Sequence, residues 1–153
     1  MINIQDSLAK TTKSLMFKEP FYGLFLVTLS KEISDRVPTA CVSKNQINPQ
    51  LTVNPKFWES LDDNRRLGCF KHELLHIVFF HLTMMDLFPD KKLMNIAADL
   101  EVNQFIGNEF LGEDWILLKN YPELKLPERA GLKFYYNALS KINDQRKQQK
   151  NKG

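Results

Sequence analysis

The feature that most constrains this chain is the pentapeptide His72-Glu73-Leu74-Leu75-His76. Leu67, Cys69 and Phe70 precede it, and Ile77, Val78, Phe79 and Phe80 follow. This apolar setting predicts a helix from about Asn64 to about Met85 with a face in a core. Residues four apart on a helix differ by about 40° in azimuth and about 6 Å in rise. Two imidazoles at that spacing can reach one tetrahedral cation, at about 2.0–2.1 Å each for zinc. Glu73 lies about 100° from His72, on the adjoining flank, where its carboxylate addresses a water on the cation rather than the cation. The pattern is that of metal-assisted hydrolysis, with His72 and His76 as ligands and Glu73 as general base. All three histidines of the chain fall between His72 and His81, which disfavours an accidental arrangement.

A catalytic zinc needs a third protein ligand and an open position. His81 is one candidate, but it stands five residues past His76, about 140° around a regular helix. It points away unless the helix ends or bends there, and the apolar run through Leu82 and Met84 predicts that the helix continues. Asp99 is the other candidate. Asn95, Asp99 and Asn103 form an i, i+4, i+8 polar stripe on an otherwise apolar helix, with Ala97 and Ala98 small enough for close packing. A carboxylate in an apolar setting is costly unless paired or bound to metal. Asp99 is therefore the preferred third ligand. His81 and Asn95 stand as alternative ligands or as groups that orient a ligand.

Along the rest of the chain, a partial helical stripe covers Ile2–Phe17. The apolar run Phe21–Ile33 reads as a buried helix with an exposed C-terminal end. Thr39–Ser43 and Gln50–Asn54 read as a β-hairpin, with turn chemistry over residues 44–49. Pro55–Leu61 is a short helix, and Asp62 or Asp63 caps the next one. A further helix covers Lys91–Ile106 and stops at Gly107-Asn108. Residues 109–129 are loop, and Gly131–Ile142 is a last helix. The fold class expected is α+β, mainly helical, with a small hairpin or sheet beside the metal-binding helix. Trp58, Trp115, Cys41 and Cys69 read as packing residues. Tyr135 and Tyr136 are candidates for oxyanion donors.

Composition narrows the function classes. The 153 residues, 43 % of them apolar and 25 % charged, fit one globular domain. No stretch is long enough to span a membrane, and the N-terminus has no apolar signal core. Two cysteines provide no disulfide framework, so a reducing cytoplasm is expected. The net charge of +3 comes from Lys141–Gly153, which carries five basic residues and one acidic. Residues 1–142 are therefore expected to form the domain and 143–153 a basic, disordered tail, which argues against a nucleic-acid surface.

The pentapeptide with its trailing His81, followed by Asn95-Ile96-Ala97-Ala98-Asp99 and Asn103, resembles the metallopeptidase domain often found N-terminal to a von Willebrand A-like domain. Pro20-Phe21-Tyr22-Gly23, Pro38-Thr39-Ala40 and Asn54-Pro55 with Phe57 add to the likeness, which spans most of residues 15–110. The resemblance implies a zincin-like fold, a zinc ion and a protein or peptide substrate laid along an edge strand of the hairpin. Many zincins of the glutamate-ligand type carry a glutamate one turn before an aspartate on the second helix, where this chain has Asn95. The compact form suggests a phage or bacterial source. The alternative function is a catalytically silent module of the same fold that recruits a protein partner such as an ATPase.

Overall fold

The computed structural model describes residues 3–44 and 48–150, and the side chains among them up to residue 144. The described residues form seven α-helices and one three-stranded sheet, a mainly helical α+β chain. They make two compact units, Met1–Leu82 with Ile106–Gly112 and Thr83–Phe105 with Glu113–Gly153. No helix is long and apolar enough to cross a membrane among the described residues.

The first unit opens with α1 (Ile4–Lys18), capped by the Asn3 side chain on the Asp6 N–H. Its Leu8 and Leu15 enter the core. Pro20 sits in the first turn of α2 (Pro20–Thr28), where its missing N–H costs nothing. This helix is less buried than its apolar sequence predicts. Leu26 is fully covered, while Phe21, Leu24 and Val27 are more than half exposed. The predicted helical run to Ile33 also ends early, because Ser30–Ile33 leaves the helix to become strand β1. β2 (Ala40–Ser43) and β3 (Gln50–Val53) form the expected antiparallel hairpin, with Ala40 opposite Val53. β1 pairs with β3 in parallel, Ser30 opposite Gln50, giving the order β1-β3-β2. The centre of the predicted turn, residues 45–47, lies outside the described residues.

Asn54 caps α3 (Pro55–Ser60) through the Phe57 N–H, and Asp62 caps α4 (Asp63–Val78) through the Arg65 N–H. Both caps satisfy donors that a helix start leaves open. α4 carries the histidine pentapeptide. Its Leu67, Phe70 and Leu74 join Leu51, Val53 and Trp58 in one core, with the Trp58 and Phe70 ring centroids 4.7 Å apart. Trp58 donates its indole N–H to Ser7 at 2.9 Å, a packing role as expected. Gly68 lets the turn at Asn108–Phe110 approach α4, since a Cβ there would lie 2.2 Å from the Phe110 carbonyl oxygen. The Lys71 ammonium is buried against both Glu19 carboxylate oxygens, at 2.7 and 3.0 Å, and ties α4 to the start of α2.

α4 does not continue to Met85. It ends at Val78, Phe80 takes a left-handed conformation with φ of 60°, and a short helix α5 (His81–Met84) begins.

The second unit is built on α6 (Lys91–Val102), capped by Asp90, and α7 (Leu132–Lys150). Ala97 and Ala98 are buried where Met94, Leu100, Leu132, Tyr135 and Leu139 pack together. The predicted loop 109–129 includes short 3-10 turns at Leu118–Asn120 and Pro122–Leu124. The backbone of α7 runs past the expected end at Ile142 to Lys150, while residues 151–153 lie outside the described residues.

Candidate metal centre

The centre starts from the helical spacing of α4. His72 and His76 lie on one face, and their Nε2 atoms approach to 2.9 Å. Neutral imidazoles can share this separation only if one nitrogen carries a proton between them. A cation would take that proton's place, and two imidazole nitrogens are a donor set suited to a borderline ion such as zinc.

His81 joins them because the helix breaks. On an uninterrupted helix it would face elsewhere, as the sequence predicts. With Phe80 in the left-handed region, the chain turns, and His81 comes to lie with its Nδ1 2.9 Å from the Nδ1 of His76. Its ring is buried, 3 % exposed. The stop is held by main-chain bonds from the Phe79 N–H to Leu75 and from the Phe80 N–H to Ile77. Glycine usually occupies such a position, and a side chain there costs roughly 1–2 kcal/mol. The sequence carried no signal for it, since phenylalanine has no preference for this conformation.

Glu73 is buried, and its Oε2 accepts a 2.9 Å hydrogen bond from the Val42 main-chain N–H. The strand register explains why that donor is available. The bond from the Asn54 N–H to the Thr39 carbonyl marks a hydrogen-bonded pair, and such pairs alternate along an antiparallel ladder. Val42, opposite Leu51, is therefore a non-bonded position whose N–H points away from β3. The outer edge of β2 thus holds the Glu73 carboxylate in one rotation. Side-chain patterns cannot reveal a main-chain donor of this kind.

Two thiols lie in the field of this carboxylate. Burial pushes the Cys69 thiol well up, and Glu73 adds to the rise. Burial also raises Cys41, with smaller contributions from Glu73 and Glu32. These surroundings favour the neutral thiol at both positions.

The other singled-out residues belong to the second unit. Asp99 is half-buried on α6, and Asn95, one turn earlier, is exposed. Asn103 is buried and donates its amide to the Ile116 carbonyl at 2.8 Å, so it braces its own unit. Tyr135 is fully buried. Its hydroxyl donates to the Pro127 carbonyl and accepts from Gln104 and the Ala130 N–H, which makes it a loop anchor rather than an oxyanion donor. The Tyr136 hydroxyl accepts from the Asp90 N–H.

A helix bearing two converging imidazoles and a fixed carboxylate beside a strand edge has the residue types and spacing of a site for metal-assisted hydrolysis. Comparison of sequences narrows this further. The chain belongs to the family described as "Putative metallopeptidase domain", whose sequence model matches residues 4–124. No curated protein and no solved structure gives a significant match.

Proposed function

We propose that this protein is a zinc-dependent peptidase in which His72, His76 and Asp99 hold the metal and Glu73 is the general base. The observation that carries the reading is the convergence of the His72 and His76 Nε2 atoms beside a carboxylate held in one rotation. Membership of a metallopeptidase-domain family supports it. Asp99 is preferred as third ligand because it is a half-buried carboxylate beside the buried Ala97 and Ala98, a setting in which a carboxylate suits a bound divalent cation.

A zinc ion held there supplies Lewis-acid polarisation and brings the pKa of water to about 7. Glu73, held by Val42, takes the proton of the attacking water and returns it to the leaving amine. With its Nε2 lone pair given to a bound metal, His76 would carry its proton on Nδ1. That N–H then donates to His81 Nδ1, fixing tautomer and ring orientation. In this reading His81, and with it Asn95, orients a ligand rather than binding the metal. The functional unit comprises residues 1–142, and the basic segment 143–153 is dispensable for metal binding.

The test combines metal content with cleavage of a degenerate peptide library. Wild type should hold about one zinc per chain. His76→Ala and Asp99→Ala should lose it, and Glu73→Gln should keep metal and fold while cleavage falls by roughly 10²–10⁴. If Glu73→Gln retains every function of the wild type, the chain is a binding module with a metal and the enzymatic reading is wrong.

A further inference from the structure

A second surface lies at the opposite edge of the sheet from β2. We infer that β1 and α1 form a docking trough for an extended segment of a partner protein, which adds to the sheet as a fourth strand beside β1. This inference is independent of the peptidase reading.

The argument begins with the ladder. The Ser34 N–H bonds to the Val53 carbonyl, which fixes the parallel pattern so that Ser30, Glu32 and Ser34 turn their main-chain groups to β3. Lys31 and Ile33 then turn theirs outward. Among the described residues, nothing bonds these outward N–H and C=O groups. An unpaired edge is a template for another strand, and proteins that avoid such pairing shorten, charge or cover it.

Among the described residues nothing covers this edge, which faces a trough of about 730 Å³. Its far wall is one stripe of α1, at Gln5, Leu8, Thr12 and Met16, and Val27 and Ile33 complete the apolar lining. From Gln5 to Met16 the helix rises roughly 16 Å, the length of about five residues of extended chain. A strand edge and a helix flanking one groove is the geometry that binds peptides by strand addition, with main-chain bonds giving affinity and alternate side chains entering the groove.

Charge selects the occupant. The Lys31 ammonium is engaged by the Leu26 carbonyl at 2.7 Å, and Glu32 is engaged by Arg36 and Gln50. Lys13, on the exposed rim, has no ion pair among the described residues. The segment that fits is therefore extended, apolar at alternate positions and acidic opposite Lys13.

The test uses a phage-displayed library of random octapeptides selected on the full chain, with the recovered sequences resynthesised. Binding is read by fluorescence anisotropy and by amide exchange in NMR. The expected peptides alternate apolar residues and carry an acid, and they slow exchange at the Lys31 and Ile33 amides. Ala9→Trp, from an exposed trough position, should weaken them at least tenfold. Lys13→Glu, which leaves the groove open, should invert the preference for an acidic over a basic peptide. Failure to select any peptide, unchanged binding in both variants, or protection away from β1 overturns the proposal. A dimer of the chain alone that Ala9→Trp dissolves would give the trough to a second copy. Sedimentation with phosphatidylserine vesicles that Ala9→Trp abolishes would give it to a membrane. Either result also overturns it.

Discussion

With His81 Nδ1 at 2.9 Å from His76 Nδ1, replacing His81 by alanine should leave the metal stoichiometry intact but weaken affinity roughly 10–100-fold. Competition with a chelating dye measures this. Loss as complete as in His76→Ala would make His81 a ligand rather than an orienting group. The cysteines give a prediction free of any metal. Thiolate, not thiol, reacts with disulfide reagents, and burial raises both thiols. In the native protein at pH 8, Cys69 should stay silent toward an aromatic disulfide, and half-buried Cys41 should react slowly. Both should react at once in guanidinium. A fast native Cys69 would contradict its burial.

At the scale of the element, the end of α4 governs the centre. Phe80→Gly should retain the turn, because glycine adopts its positive φ without the steric cost of a side chain. Phe80→Val should cost about 1–2 kcal/mol in urea unfolding, since a β-branched residue fits this region worst. It should also lower metal affinity by moving His81. Equal stability of the two variants would mean that the turn does not depend on this dihedral. Further up the same helix, Gly68→Ala places a methyl group against the Phe110 main chain, where no side-chain rotation can relieve it. It should destabilise by about 1–3 kcal/mol. The two substitutions separate roles, since Gly68→Ala acts on packing two turns from His76 and should leave affinity at folded temperatures near wild type.

At the scale of the whole molecule, metal binding and folding are linked. A cation that binds only the folded chain adds about 2.7 kcal/mol when present at about 100 times its Kd. For a chain of this size that is a rise in Tm of roughly 5–10 °C. Zinc should raise the Tm of wild type by this amount, chelator should reverse it, and His76→Ala should show no shift. A shift that survives in His76→Ala would place the stabilising ion elsewhere. Removal of residues 143–153 should leave the shift unchanged, in keeping with the proposed role of residues 1–142.

Local chemistry determined much of this protein. The i, i+4 spacing of His72 and His76, Pro55 in the first turn of α3, the cap expected at Asp62 or Asp63, and the alternation of Leu51 and Val53 are short-range signals, and each element they predict forms. Three features came only with the tertiary structure. β1 is four residues long and depends on a parallel partner twenty positions away, so no local period distinguishes it from the end of a helix. The break at Phe80 places a residue where its own preference would not, held by the bonds and packing of its surroundings. The hold on Glu73 comes from a main-chain N–H whose direction depends on strand register rather than on the identity of Val42. Spacing along one helix fixed that His72 and His76 share a face. Contacts between distant segments decided how those side chains are oriented, because only they set a register or sustain an unfavourable dihedral.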